Sequence, residues 1–168
     1  LYRNDLAAGR LDRGSAALLV RQWLMLHDIK CAIDQGDWPE NSTCVELGGC
    51  DASGGELFNE VTELIISAHR KNKMITPKLN CRYNSRSPQK YLELLAQAVL
   101  EGGNVFAWLN DEAIIPALMR HGKTLPEARN YVNGGCQETI CEGVEHSAGG
   151  FFYLNLPNLL REWFCGEA

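Results

Sequence analysis

An α/β fold of repeated parallel βα units is what the sequence predicts, and three observations predict it. Short β-prone runs alternate with amphipathic stretches, giving strand, helix, strand, helix, strand, helix with a unit of about thirty residues, the length a βαβ crossover needs. Val105-Phe106-Ala107-Trp108-Leu109 is a continuous apolar run, the pattern of a strand buried on both faces. Glycine pairs and prolines fall between the periodic stretches, at Gly48-Gly49, Ser87-Pro88 and Gly102-Gly103, where such units begin and end.

Residues 1–10 carry no clear pattern. From Leu11 to Ile33 the residues Ala16, Leu19, Val20, Trp23, Leu24, Leu26 and Ile29 recur every three to four positions, a helical stripe that ends before Gln35-Gly36-Asp37-Trp38-Pro39. Thr43 to Leu47 is short and β-prone and is closed by Gly48-Gly49, so a strand is expected there, followed by a polar turn over Cys50 to Gly55. Glu56 to Asn72 places Leu57, Val61, Leu64, Ile65 and Ala68 on one helical face. Pro77 to Tyr83 is the next extended piece. Ser87 as N-cap and Pro88 at the first helical position open a helix through Leu92, Leu95, Ala96 and Val99. After the Val105–Leu109 strand, Asn110-Asp111-Glu112 caps a helix to His121-Gly122, which Pro116 is expected to kink or shorten. Thr124 to Tyr131 reads as a short helix with Pro126 in its first turn, Thr139 to Gly150 as irregular, and Leu159, Leu160 and Trp163 as part of a terminal helix.

Composition narrows the function classes. A chain of 168 residues with 45% hydrophobic content can bury a real core. A net charge of −5 and the lack of any run of Lys and Arg argue against a nucleic-acid partner, and Arg70-Lys71-Lys73 reads as a helix-end complement to the dipole. No apolar run approaches the ~20 residues that span a bilayer, so no membrane partner is expected. Seven scattered cysteines, with no C-x-x-C pair, fit a reducing cytoplasm better than a disulfide scaffold. The chain opens on Leu1 and stops at Ala168 shortly after an apolar helix, so it is expected to be a fragment.

The segment Asn133-Gly134-Gly135-Cys136-Gln137-Glu138 concentrates the chemistry. Two glycines keep it from being helical, and in an extended backbone positions 136 and 138 project to the same side, pairing a thiol with a carboxylate. Functional groups of parallel α/β folds gather at the carboxyl ends of the strands, where this segment falls. The competing readings are a buried cysteine beside a glycine turn and a surface or helix-capping carboxylate. Cys136, Cys141 and His146 also form a C-x4-C-x4-H pattern, but no fourth zinc ligand accompanies them, and no metal is expected. A Cys136–His146 nucleophile and base pair is a further alternative. The Gly48–Gly55 turn lacks both phosphate-binding spacings. Asp111 and Glu112 favour capping over catalysis, while Arg82 could hold a substrate carboxylate or pair with a structural acid.

Four ordered blocks then carry a family resemblance: Val45-Glu46-Leu47-Gly48-Gly49 with Glu56-Leu57-Phe58-Asn59-Glu60; Pro77-Lys78-Leu79 through Arg82; Leu109-Asn110-Asp111-Glu112 with Ile114-Ile115; and Ala128-Arg129-Asn130-Tyr131 leading to Gly135-Cys136-Gln137-Glu138. Over roughly residues 11 to 164, the chain resembles the catalytic domain of the glycyl radical enzymes, the group typified by pyruvate formate-lyase. The commonest lyase version of the loop has Val where Gln137 stands, and pyruvate formate-lyase has two adjacent cysteines where Cys136 stands alone.

The resemblance implies part of a ten-stranded α/β barrel, with the amino-terminal half and the carboxyl-terminal glycyl radical domain outside this chain. It implies that a glycyl radical, installed by a radical-SAM activating enzyme, converts Cys136 to a thiyl radical that takes hydrogen from a small polar substrate. Glu138 then acts as the base that assists elimination across a C–O or C–N bond. Gln137 and Arg82 become candidate substrate contacts. The expected activity is a lyase or dehydratase of anaerobic metabolism, in a cytoplasmic homodimer. The alternatives are a formate acetyltransferase of the pyruvate formate-lyase kind and a non-catalytic binding or assembly remnant. No Arg-Val-x-Gly-Tyr type radical loop occurs in these 168 residues, so the chain alone is expected to be inactive.

Overall fold

A computed structural model describes residues 1–33, 43–103, 105–134, 138–146 and 155–166. Three strands, β1 (Cys44–Gly48), β2 (Lys78–Tyr83) and β3 (Phe106–Asn110), form a parallel sheet in that order. The register sets Leu47 beside Cys81 and Leu79 beside Phe106. The crossovers are α3 (Glu60–Asn72) and α4 (Gln89–Leu100). Helices α1 (Tyr2–Ala7) and α2 (Arg13–Ile33) precede the sheet. Helices α5 (Asp111–Arg120) and α6 (Leu125–Arg129) lead from β3 to an antiparallel hairpin of β4 (Tyr131–Gly134) and β5 (Glu138–Cys141), and α7 (Leu156–Cys165) follows. No helix among the described residues is long and apolar enough to cross a membrane.

The strands alternate, and the alternation decides which side the helices take. Leu47, Leu79 and Cys81 join Ile66 of α3 and Tyr91 and Leu95 of α4 in one buried cluster, with Val45, Phe58 and Phe106 packed on it. Both crossover helices therefore lie on one face. Glu46, Asn80 and Arg82, displaced by one residue along the strands, project from the other face, which takes the β4–β5 hairpin. Tyr91 also reaches the sheet edge, where its hydroxyl donates to the Leu47 carbonyl at 3.1 Å. That approach requires Gly48, which has φ +67° and would place a Cβ 2.5 Å from the Tyr91 hydroxyl oxygen.

The parallel α/β class holds, with several local differences from the sequence reading. The described residues form a three-stranded sheet and a hairpin, and the ten-stranded barrel of which they are expected to be part is not visible in them. β3 is not buried on both faces: Trp108 is 42% exposed, because β3 is the outer strand of the three described. Residues 2–7 are helical despite lacking an apolar stripe, and Arg3 ties this turn to Glu60 through a bidentate contact with N–O distances of 2.9–3.3 Å. α3 begins at Glu60, where the Asn59 side chain accepts from Val61 N and Thr62 N, while Glu56 is held back by its bridge to Cys50. Pro88 takes the cap position of α4 without a side-chain bond, and Ser87 Oγ accepts instead from Asn84 N at 3.1 Å. Pro116 does not end α5, which continues to Arg120. Thr139 to Cys141 is strand rather than irregular chain, because it pairs with Tyr131–Asn133.

Candidate active site

The carboxyl ends of the three parallel strands bring together Gly48-Gly49, Arg82 and Asp111, with Glu46 in the middle of β1 on the same face as Arg82. Arg82 donates from Nε to Asp111 Oδ1 at 3.0 Å and from Nη2 to Oδ2 at 3.2 Å, a bidentate pair with side chains 6% and 3% exposed. Its Nη1 donates to the Tyr131 carbonyl at 3.2 Å, and its guanidinium carbon stands 4.0 Å from the Tyr131 ring centroid. The Tyr131 hydroxyl closes the set by donating to Asp111 Oδ1 at 2.7 Å. Gly49, at φ +74°, leaves room for this guanidinium, since a Cβ there would lie 2.6 Å from Nε. Burial pulls the Arg82 pKa down, but the hydrogen-bonded Asp111 carboxylate outweighs it and the net shift is upward. The tyrosine pKa is raised by burial and by Asp111.

This network settles two sequence alternatives locally. Asn110, not Asp111, caps α5, accepting from Glu112 N at 2.9 Å. Asp111 is the structural acid that pairs with Arg82. Arg82 thus sits near the carboxyl end of β2, with its nitrogens engaged by Asp111, Tyr131 and, at 3.9 Å, Cys50 Sγ.

The hairpin carries the proposed chemistry. Its register pairs Tyr131 with Cys141, Asn133 with Thr139 and Gly134 with Glu138. Cys136 and Gln137 lie between the last of these pairs, outside the described residues, and so does the turn expected there. Glu138 is the first residue of β5 and is exposed. The path into the hairpin is fixed by α6, whose Thr124 and Glu127 form a reciprocal capping box and whose Arg129 donates to the Ala52 carbonyl at 3.3 Å. β4 is then held from below, because Glu46 Oε1 accepts from the Asn133 amide at 2.7 Å and from Asn80 Nδ2 at 2.8 Å. Burial raises the Glu46 pKa more than these bonds and the Arg82 charge lower it.

Other thiols are placed differently. Cys50, Cys81 and Cys141 are buried, and burial raises the pKa of each, that of Cys81 to about 12, so they remain protonated. Cys141 belongs to β5 and its amide donates to Glu145 Oε2 at 2.8 Å. Among the described residues, no group of three or more His, Cys, Asp and Glu is arranged to hold a metal ion.

Glu46, Tyr131 and Asn133 were not singled out by sequence reasoning. A signal existed for Glu46: an acid alternating with Val45 and Leu47 in a β-prone run marks a polar side chain on the face opposite the apolar one.

Comparison with known proteins places this arrangement. The family model described as pyruvate formate lyase-like matches residues 1–162. The chain is 32% identical to trans-4-hydroxy-L-proline dehydratase of Clostridioides difficile, over 95% of this chain and 21% of the relative. It is 30% identical to isethionate sulfite-lyase of Nitratidesulfovibrio vulgaris, over 95% of this chain and 20% of the relative. The crystal structure of a glycyl radical enzyme from Archaeoglobus fulgidus superposes with a TM-score of 0.72 at 27% identity, covering 84% of this chain and 19% of that one. The chain thus spans about a fifth of the length of the curated relatives it matches. On sequence and fold together, it belongs to the pyruvate formate lyase-like family of glycyl radical enzymes.

Proposed function

We propose that this chain supplies the active-site cysteine loop of a glycyl radical lyase or dehydratase acting on a small polar substrate. The observation that carries the reading is the hairpin. It brackets Cys136 between paired residues Gly134 and Glu138, and it is tied to the parallel sheet through Glu46 in the middle of β1 and Arg82 at the carboxyl end of β2. Relatives that are a dehydratase and a sulfite-lyase support elimination as the reaction class.

A glycyl radical supplied by the rest of the enzyme would provide the hydrogen-abstracting power at Cys136. In this reading the Cys136 sulfur takes a hydrogen atom from a substrate carbon, breaking C–H and forming S–H. The Glu138 carboxylate accepts the proton of the hydroxyl on that carbon, and the neighbouring substituent leaves with its bonding pair. The S–H hydrogen then returns to the product radical. Thiol and carboxylate stand two residues apart in the chain, so neither must be brought in from solution. A radical-SAM activating enzyme, a homodimeric assembly and a cytoplasmic setting belong to the same proposal. The chain by itself would be inactive.

The test uses the full-length, activated enzyme. Cys136→Ser should abolish turnover while the glycyl radical signal in electron paramagnetic resonance persists, and Glu138→Gln should lower turnover by roughly 10²–10⁴-fold with the same signal. Retained turnover in Cys136→Ser refutes the thiyl role. An unchanged rate in Glu138→Gln removes the base.

A further inference from the structure

The hairpin that frames Cys136 rests on a half-buried acid 87 positions before Asn133, and that acid has no assigned task. Glu46 lies in the middle of β1, on the face left free by the helices. Its Oε1 accepts two hydrogen bonds, from the Asn133 amide at 2.7 Å and Asn80 Nδ2 at 2.8 Å, so one atom joins β1, β2 and β4. Asn80 is the registered neighbour of Glu46 across the sheet, and is itself buried. Asn133 is buried too, and its Oδ1 accepts from the Thr139 hydroxyl at 3.3 Å, linking the anchor to β5 one residue from Glu138.

An apolar side chain would fill this space at less cost. A carboxylate under a hairpin is desolvated, and here the desolvation is incompletely repaid: among the described residues, the buried atoms Glu46 Oε2 and Asn133 Nδ2 have no hydrogen-bond partner. The charged groups that act on Glu46 are Arg82, which favours its ionised form, and Asp111, which opposes it. Burial is the larger influence and raises its proton affinity. A polar group kept at such a place needs a reason other than stability. The geometry offers one, since the amide that Glu46 holds belongs to the third residue before Cys136 and its partner across the hairpin is next to Glu138.

We propose that Glu46 is a positioning residue for the active-site loop: through Asn133 it sets where the hairpin presents Cys136 and Glu138, and it acts without touching the substrate. This rests on the reading that the hairpin is the active-site loop. A displacement of about 1 Å in such a loop is enough to cost on the order of 10²-fold in rate.

The experiment compares Glu46→Ala and Glu46→Gln in the full-length enzyme, with two readouts. Before activation, the rate of Cys136 alkylation by iodoacetamide is followed by mass spectrometry, with added glutathione as the internal reference. After activation, kcat, KM and the radical content are measured. Glu46→Ala should change the Cys136 labelling rate relative to glutathione by about tenfold or more. It should also lower kcat by about 10²-fold, with the radical content retained. Glu46→Gln, which keeps an Oε1 acceptor for Asn133 and Asn80, should return both to within a few-fold of the parent. Two results overturn the proposal: Cys136 labelling and kcat unchanged in Glu46→Ala, or Gln failing to rescue while the enzyme remains folded and radical-loaded. If Glu46→Ala does not fold, the Gln variant alone decides, and a large loss of kcat in a folded Gln variant overturns the acceptor role. The labelling arm needs no radical chemistry, so it can succeed even where Cys136→Ser shows the functional reading to be wrong.

Discussion

Removing Asp111 is the sharpest test of how the candidate site is built. Asp111→Ala would leave the Arg82 guanidinium, 6% exposed, facing only the Tyr131 carbonyl, its ring and a cysteine sulfur. Breaking a buried ion pair from one side costs about 3–5 kcal/mol, because the surviving charge keeps its desolvation penalty and loses its partner. The Tyr131 hydroxyl loses its acceptor as well, a loss of ~1–3 kcal/mol in isolation. The three groups form one network, so the two figures do not add, and a total of at least ~3 kcal/mol is expected. Against a typical stability of ~5–15 kcal/mol, that is a large fraction. Arg82→Met with Asp111→Leu removes both charges and should return to within about 1–2 kcal/mol of the parent. Urea unfolding followed by tryptophan fluorescence reads this out, with Trp108 on β3 as a nearby probe. A cost below about 1 kcal/mol for Asp111→Ala, or a cost that disappears in 1 M salt, would mean that the pair is solvated and does not hold β4.

Two further outcomes follow from the packing of the sheet. Burial lowers the His69 pKa below 6.5, and its Nε2–H donates to the Pro77 carbonyl at 2.8 Å. A neutral native histidine gives stability that is complete above the unfolded value and is lost as pH falls through the lower folded one, so the melting temperature should drop below about pH 6.5. His69→Gln should flatten that slope, and an equal slope in both proteins refutes the assignment. Gly48→Ala should cost ~1–2 kcal/mol from the left-handed backbone alone, and more because the new methyl meets the Tyr91 hydroxyl and the Arg82 carbonyl at 2.5 and 2.6 Å. Gly102→Ala, at φ +82° with nothing among the described residues within 4 Å, carries the backbone penalty alone, and equal unfolding midpoints for the two variants would remove the steric argument.

Much of the fold is legible because its signals are local. The β-prone run before Gly48-Gly49, the apolar run before Asn110 and the Thr124–Glu127 cap each declare themselves within a few residues. The misreadings come where a distant partner decides. Residues 2–7 form a helix with no buried side chain, tied across 57 positions by Arg3 to Glu60, so no apolar stripe announces them. Thr139 to Cys141 is β only because Tyr131 to Asn133 lies beside it, and the glycines around Cys136 hide that pairing. At the site, residue type and order point to Cys136 and Glu138, while strand alternation marks Glu46 only as a polar side chain and spacing gives no sign of its partner Asn133 or of the Tyr131 contacts. Arg82 finds Asp111 across 29 positions, and a sequence cannot tell such a partner from a helix cap.

The hairpin's attachment to the sheet also bears on how lengths can vary in this chain. Its ties from Arg82 and Glu46 span 49 and 87 positions, and the tie from Ala52 to Arg129, at the end of α6 just before the hairpin, spans 77. The entropy of closing a loop grows only with the logarithm of its length, so doubling the chain between Glu46 and Asn133 would add about 0.6 kcal/mol. Insertions in the crossover turns therefore leave the loop's position nearly untouched. Inside the hairpin the tolerance reverses: one residue added to β4 would turn Asn133 to the opposite face and aim every later side chain of that strand the wrong way. The polypeptide can thus grow freely around its reactive loop while the few residues leading into it are counted one by one.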